Sequence, residues 1–162
     1  MIAIRAANGD DASACCAIYA PFVTDNWVSF ELSVPTPAEM AKRIVDCQSS
    51  HGWFIAVIDG QIAGYAYGAP HRTRQAYETS CDVAVYVDSN HARKGVGRSL
   101  YAMLLPHLRD RGFHGAFAGI ALPNPGSIAL HESFGFTPIG IYREVGWKMG
   151  GWRDVGWWQT LL

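Results

Sequence analysis

At 162 residues the chain can bury roughly two thirds of the surface its unfolded form exposes, so length alone favours one domain, residues 1–162, with its own core. Hydrophobic residues make up 49% and charged residues 17%, too apolar and too lightly charged for a disordered chain. A net charge of -1 argues against a broad electrostatic grip on nucleic acid or acidic membranes and leaves room only for a local basic patch.

Ile2 to Ala6 reads as a short strand, and Asn8-Gly9-Asp10-Asp11 as a turn that caps a helix. Ala12, Cys15, Ile18 and Tyr19 give that helix an apolar stripe, and Pro21 is expected to end it. Thr36-Pro37-Ala38-Glu39 is a capping box with proline in the first turn, and Met40, Ile44 and Cys47 mark one face of the second helix. Trp53–Ile58 and Ile62–Tyr67 flank Asp59-Gly60, the pattern of a β-hairpin. Cys81–Val87 reads as a strand and Gly95–Arg111 as a helix that Pro106 should kink or shorten. Gly115–Leu122 is a strand, Ser127–Phe134 a short helix closed by Gly135, and Phe136–Tyr142 and Val155–Leu161 are the last strands. The order β-α-α-β-β-β-α-β-α-β-β mixes hairpins with crossover helices, which predicts an α/β (α+β) mixed sheet with helices on both faces.

Cys15, Cys16, Cys47 and Cys81 include no C-x-x-C pair, and neighbours such as 15 and 16 cannot bridge on a helix. Reduced thiols fit a reducing compartment. The N-terminus lacks an apolar signal core, and no apolar run approaches the ~20 residues a membrane helix needs. A cytoplasmic setting, with neither membrane nor nucleic acid as partner, is the expectation.

The richest stretch runs from Val85 to Leu100. A strand enters a loop containing Gly95 and Gly97, and the loop opens a helix. Glycine lets the backbone approach a ligand, and the unpaired N–H groups of the helix start face an anion. Arg93, Lys94 and Arg98 add positive charge at the same end, a combination suited to a pyrophosphate. The plain alternative is a glycine turn with a solvated basic helix start. There is no Walker pattern, and Leu100 stands where a dinucleotide fingerprint needs its third glycine. None of the six histidines has metal-ligand spacing, so no metal is expected. His51, His71, His91, His107 and His114 read as surface or loop residues.

Arg93-Lys94-Gly95-Val96-Gly97 resembles the phosphate-loop motif of the GCN5-related N-acetyltransferases, and Asn124-Pro125-Gly126-Ser127 to Leu130-His131-Glu132 resembles their next motif. Tyr67-Gly68-Ala69-Pro70, Arg74-Gln75-Ala76-Tyr77 and the run from Lys148-Met149-Gly150-Gly151 to Trp157-Trp158-Gln159 are similar to the phosphinothricin and methionine sulfone subfamily, across essentially the whole chain. Ala92 departs from the family's usual Gln or Arg, and Asp82 from the subfamily's usual Glu.

The resemblance implies a sheet of six to seven strands splayed between the fourth and fifth. It implies acetyl-CoA as cosubstrate, a small-molecule amine as acceptor and a homodimer. Val85 and Val87 would meet the pantetheine arm through their backbone and Asn124 would bond it; Arg93, Lys94, Gly95, Val96, Gly97 and Arg98 would wrap the pyrophosphate, with Tyr86 and Ser127 also in the cofactor site. Asp82 would take the amine's proton, directly or through water, and His131 would serve the departing thiolate or the amine. Arg72 and Arg74 would receive an acidic side chain, with Trp27, Phe30 and Tyr77 as walls. Trp147, Trp152, Trp157 and Trp158 belong either to the core or to a dimer interface. The leading expectation is acetyl transfer to the α-amino group of a small amino-acid analogue. Other amines, and an acyl-CoA-binding module without turnover, are the alternatives.

Overall fold

A computed structural model describes residues 1–162. Seven strands form one sheet: β1 (Ala3–Ala6), β2 (Trp53–Ile58), β3 (Gln61–Pro70), β4 (Ser80–Val87), β5 (Gly115–Ala121), β6 (Thr137–Lys148) and β7 (Gly151–Leu161). Their spatial order is β1-β2-β3-β4-β5-β7-β6. Every neighbouring pair is antiparallel except β4–β5. The helices are α1 (Ala12–Thr24), α2 (Pro37–Ser50), α3 (Val96–Asp110) and α4 (Pro125–Glu132).

Strand alternation divides the core between the two faces of the sheet. Phe54, Ala56 and Ala66 face α3, which buries Leu100, Tyr101, Leu104 and Leu108 against them. Trp53, Ile55 and Tyr65 face the other way, onto Cys15, Ile18, Tyr19, Met40 and Ile44 of α1 and α2. A side chain of Leu or Ile size buried in this way contributes roughly 1.5–3 kcal/mol. The start of α2 forms as its capping box requires: Thr36 Oγ1 accepts from the Glu39 N–H (3.2 Å), and Glu39 Oε2 accepts from the Thr36 N–H (2.7 Å).

Three expectations about elements need correction. Pro21 does not end the first helix, which continues to Thr24 and seats Val23 in the core at 2% exposure. That burial offsets one missing hydrogen bond near the helix end. Pro106 neither shortens nor ends α3. It lies on the solvent side, as does Ala102, whose carbonyl loses its N–H partner to the proline ring and can turn to water instead. The last two strands are longer than their hydrophobic patterns. Together they form a hairpin closed at Met149-Gly150, both at positive φ (53° and 72°), the signature of a type I′ turn. Of the four C-terminal tryptophans, Trp158 is buried and Trp147 and Trp152 are largely exposed, with their rings 5.0 Å apart edge to face.

The four cysteines are free; Cys15, Cys16 and Cys81 are buried and Cys47 is half-buried. No helix is long and apolar enough to cross a membrane.

Candidate active site

The parallel pairing of β4 with β5 covers three positions: Ser80 with Gly115, Cys81 with Ala116 and Asp82 with Phe117. Beyond Asp82 the two strands diverge. From Val83 to Val87 the β5-facing edge of β4 has no strand partner, so its backbone groups are open to a ligand's amides. Two clefts meet at this gap. One, of ≈ 490 Å³, lies on the α3–α4 side. The other, of ≈ 350 Å³, lies on the side of the α1–α2 connection. Val83, Ala84, Gly119 and Ala121, two from each strand, line both.

The larger cleft is built from the phosphate-type loop and the splayed edge. Arg93 (φ 60°) and Gly95 (φ 84°) take left-handed backbone conformations that turn the chain into α3. The first intrahelical bond is Ser99 N–H to Gly95 O at 2.9 Å, so the N–H groups of Val96, Gly97 and Arg98 precede the helical ladder. No acidic residue stands in this first turn. A Cβ on Gly97 would come within 3.0 Å of Leu130, so glycine keeps the floor low between α3 and α4. Val85, Tyr86, Val87, Arg93, Gly95, Val96, Gly97, Arg98, Asn124 and Ser127 all line this cleft; Lys94 is not among its walls. Asn124 also caps α4, its Oδ1 accepting from the Ser127 N–H at 3.1 Å. These features fit a diphosphate with an amide-bearing arm: backbone donors at a helix start, cations beside them and an unpaired strand edge beyond.

His131 is buried in the wall of this cleft, at 3% exposure. Its Nδ1–H donates to the Ser127 carbonyl (2.7 Å), and its Nε2 accepts from the Tyr101 hydroxyl (2.8 Å). Burial pushes the imidazole below its ordinary range, opposed by the bond to Ser127. The ring is therefore neutral, with both nitrogens engaged.

Asp82 stands in the smaller cleft, so the two catalytic candidates are not brought together. Its Oδ1 lies 2.5 Å from His71 Nδ1. Burial pushes the carboxyl up; the His71 hydrogen bond, the His71 charge and Arg72 pull it down, and the net direction is up. A carboxylate shifted this way is a stronger base toward an ammonium group. Phe30 lines this cleft, with Tyr67, Val155 and Trp157. Arg72, Arg74 and Tyr77 do not line it; they are exposed on the loop that follows β3. Arg72 donates to the His71 carbonyl (2.8 Å) and sits 6.0 Å from the Trp157 ring centroid; Tyr77 sets its edge against His71 at 5.9 Å. Trp27 is outside the cleft: its indole N–H bonds the Leu122 carbonyl and Arg153 stacks on its face at 3.6 Å.

Sequence reasoning missed His71, Tyr67 and Trp157. His71 is on the loop after β3, as expected, but it is largely covered, its side chain 12% exposed. His51 is likewise buried and stacks on Phe113 at 4.6 Å. No local signal in the sequence marked His71; the register of the folded sheet places it. Pro70 pairs with Cys81, so positions 71 and 82 form a diagonal cross-strand pair on one face of the β3–β4 ladder.

A splayed β4–β5 gap with a phosphate-type loop on one side and an acid on the other is an arrangement suited to a transferase, with room for a ligand on each side of the sheet. Residues 4–157 match the acetyltransferase (GNAT) domain family, and the chain belongs to that family. It is an acetyltransferase. It is 38% identical over 98% of its length, and 86% of the relative, to a phosphinothricin N-acetyltransferase of Streptomyces viridochromogenes. It is 32% identical to an L-methionine sulfoximine/L-methionine sulfone acetyltransferase of Salmonella typhimurium, over 78% of this chain and 81% of that one. Among solved structures, a phosphinothricin acetyltransferase from Sinorhizobium meliloti in complex with AcCoA superimposes with a TM-score of 0.95 at 30% identity, covering 99% of this chain and 88% of that one.

Proposed function

We propose that the chain acetylates the α-amino group of a small amino-acid analogue of the phosphinothricin or methionine sulfone type, with acetyl-CoA as donor. The observation that carries this reading is the meeting of the two clefts at the β4–β5 gap, with Asp82 on the acceptor side. The names of the relatives point to the same acceptor class.

When bound, acetyl-CoA supplies an activated acyl carbon for an amine to attack. On this reading the β4 edge from Val83 to Val87 bonds the pantetheine arm, and the α3 start with Arg93 and Arg98 neutralises the diphosphate. Asp82 takes the proton of the acceptor's ammonium group, directly or through water, because only the free amine is a nucleophile. Phe30, Tyr67 and Trp157 wall the acceptor, and Arg72 and Arg74 at the loop attract its anionic end. We place His131 in the donor wall, where it orders Tyr101 and Ser127 and moves no proton. Residues 1–162 then act as one domain.

A homodimer and a cytoplasmic setting complete the proposal. The exposed apolar residues of the β6–β7 hairpin, Ile139, Ile141, Trp147 and Trp152, support the first. The unpaired cysteines support the second.

Thiol release from acetyl-CoA tests the function. Phosphinothricin, methionine sulfone, methionine sulfoximine, ordinary amino acids and a polyamine make the panel, with product masses checked. Turnover is expected on the sulfone, the sulfoximine or phosphinothricin. Turnover confined to the polyamine or to ordinary amino acids would overturn the proposed acceptor.

A further inference from the structure

The acid in the acceptor cleft does not stand alone. Asp82 Oδ1 is 2.5 Å from His71 Nδ1, and this is its one hydrogen bond to the protein. Asp82 Oδ2 is left without a protein partner, and the Asp82 side chain retains 32% exposure at the cleft. The imidazole is held from several directions. It stacks on Phe117 of β5 (4.3 Å between centroids, 19° between planes) and meets Trp157 of β7 edge to face at 6.0 Å. Tyr77 closes a third side. Three separate elements thus fix a ring whose polar contact is with the acid.

We propose that His71 is a positioning residue for Asp82: it pins Oδ1 through Nδ1–H and leaves Oδ2 directed to the acceptor's ammonium group. The inference rests on the reading of Asp82 as proton acceptor given above. The step balances simply. One N–H bond of the ammonium breaks, its electron pair stays on nitrogen, and the proton joins Asp82 Oδ2 to give a neutral carboxylic acid. The proton leaves to solvent after the amine has been acylated. His71 neither gains nor loses a proton and holds the same bond throughout.

Aspartate has one side-chain torsion fewer than glutamate, so fixing Oδ1 through His71 sets the carboxylate plane and with it the direction that Oδ2 faces. A donor behind the carboxylate also keeps it ionised against the burial that raises its pKa. The groups around the pair are Arg72 and Tyr77 on the same loop and Cys81 beside Asp82; β3 and β4 add Tyr67 and Tyr86 to the cleft, and β5 and β7 present the Phe117 and Trp157 rings.

The test compares His71→Phe, which keeps the stacked ring and removes the donor, with His71→Asn, whose amide N–H can replace Nδ1–H. The first readout needs no acceptor: 13C NMR titration of the Asp82 carboxyl in the free enzyme, assigned through Asp82→Asn. In His71→Phe its midpoint is expected to rise, because a bond favouring the anion is gone; in His71→Asn it should return toward wild type. The second readout is kinetic, with methionine sulfone or phosphinothricin as probe. His71→Phe should lower kcat about tenfold, move the acid limb of the pH profile upward, and leave the acetyl-CoA KM unchanged. An unmoved NMR midpoint or an unmoved acid limb would overturn the inference, whatever the fall in kcat. If Asp82→Asn kept full turnover, the reading of Asp82 as base would fail and the inference with it. If Asp82→Asn were inactive while His71→Phe behaved as wild type, only the inference would fail.

Discussion

The two clefts that meet at the β4–β5 gap are built from different materials. The larger cleft, on our reading the donor's, adds backbone donors and acceptors to its side-chain walls: the edge of β4, the turn at Arg93–Gly95 and the first N–H groups of α3. The acceptor cleft is mostly side chain: Asp82, Phe30, Tyr67 and Trp157 converge from β4, the α1–α2 connection, β3 and β7. A backbone site recognises what every bound copy of one cosubstrate shares. A side-chain site can change its acceptor one residue at a time without disturbing the other. Substitutions should therefore separate cleanly into those that move the donor and those that move the acceptor or the chemistry.

The largest separation is expected at Asp82. Asp82→Asn should lower kcat by about a hundredfold or more while acetyl-CoA affinity, measured by calorimetry, stays at the wild-type value. Equal losses in both would join the two clefts into one functional unit and break the comparison. Gly97→Val is the mirror case. Its branched side chain meets Leu130 and narrows the donor floor, so the acetyl-CoA KM should rise about tenfold with the acceptor KM unchanged. Arg74→Ala should raise the acceptor KM about tenfold, and the acetyl-CoA KM far less, if the exposed loop collects the acceptor's anion. Parallel increases in both constants would remove Arg74 from the acceptor side.

A smaller effect sharpens the same division. A Cβ on Gly146 would collide with the Phe30 ring, so Gly146→Ala must displace a wall of the acceptor cleft from a strand that does not line it. The acceptor KM should change severalfold, by roughly 1 kcal/mol in binding, with the donor untouched. Steady-state kinetics on both substrates reads this directly.

The smallest expected effect concerns stability, away from both reactions. Burial lowers the pKa of His51, His107 and His131 in the folded chain. Below about pH 6.5, the ordinary value, the unfolded chain binds protons that the folded one refuses. Stability should therefore be full above that pH and fall as the pH drops through the lowered folded values. Urea titrations at pH 7.5 and pH 5.5 measure the loss. His51→Gln should flatten the dependence.

Much of the fold could be read locally. The capping box at Thr36–Glu39, the Asp59-Gly60 hairpin and the strand–glycine–helix sequence around Gly95 each act through residues within a few positions of one another. The prolines misled because their cost depends on which side of the helix they occupy. Pro106 points to water, and Pro21 is offset by Val23 in the core. The long β6–β7 hairpin was half hidden for a related reason. Most of β6 is exposed, so it carries no apolar alternation to announce it.

By itself the amino-acid sequence determined the elements, the phosphate-type loop and the family resemblance, because hydrogen bonding, capping and glycine conformation are local. Tertiary structure decided which side chains share a cleft. It separated His131 from Asp82, left Arg72 and Arg74 exposed on the loop after β3, exposed Trp147 and Trp152, and set His71 behind Asp82. Those relations come from strand register and from the divergence of β4 and β5 after Asp82, which bring residues far apart in the chain to within bonding distance. Local chemistry carries no record of such distances until the sheet has formed.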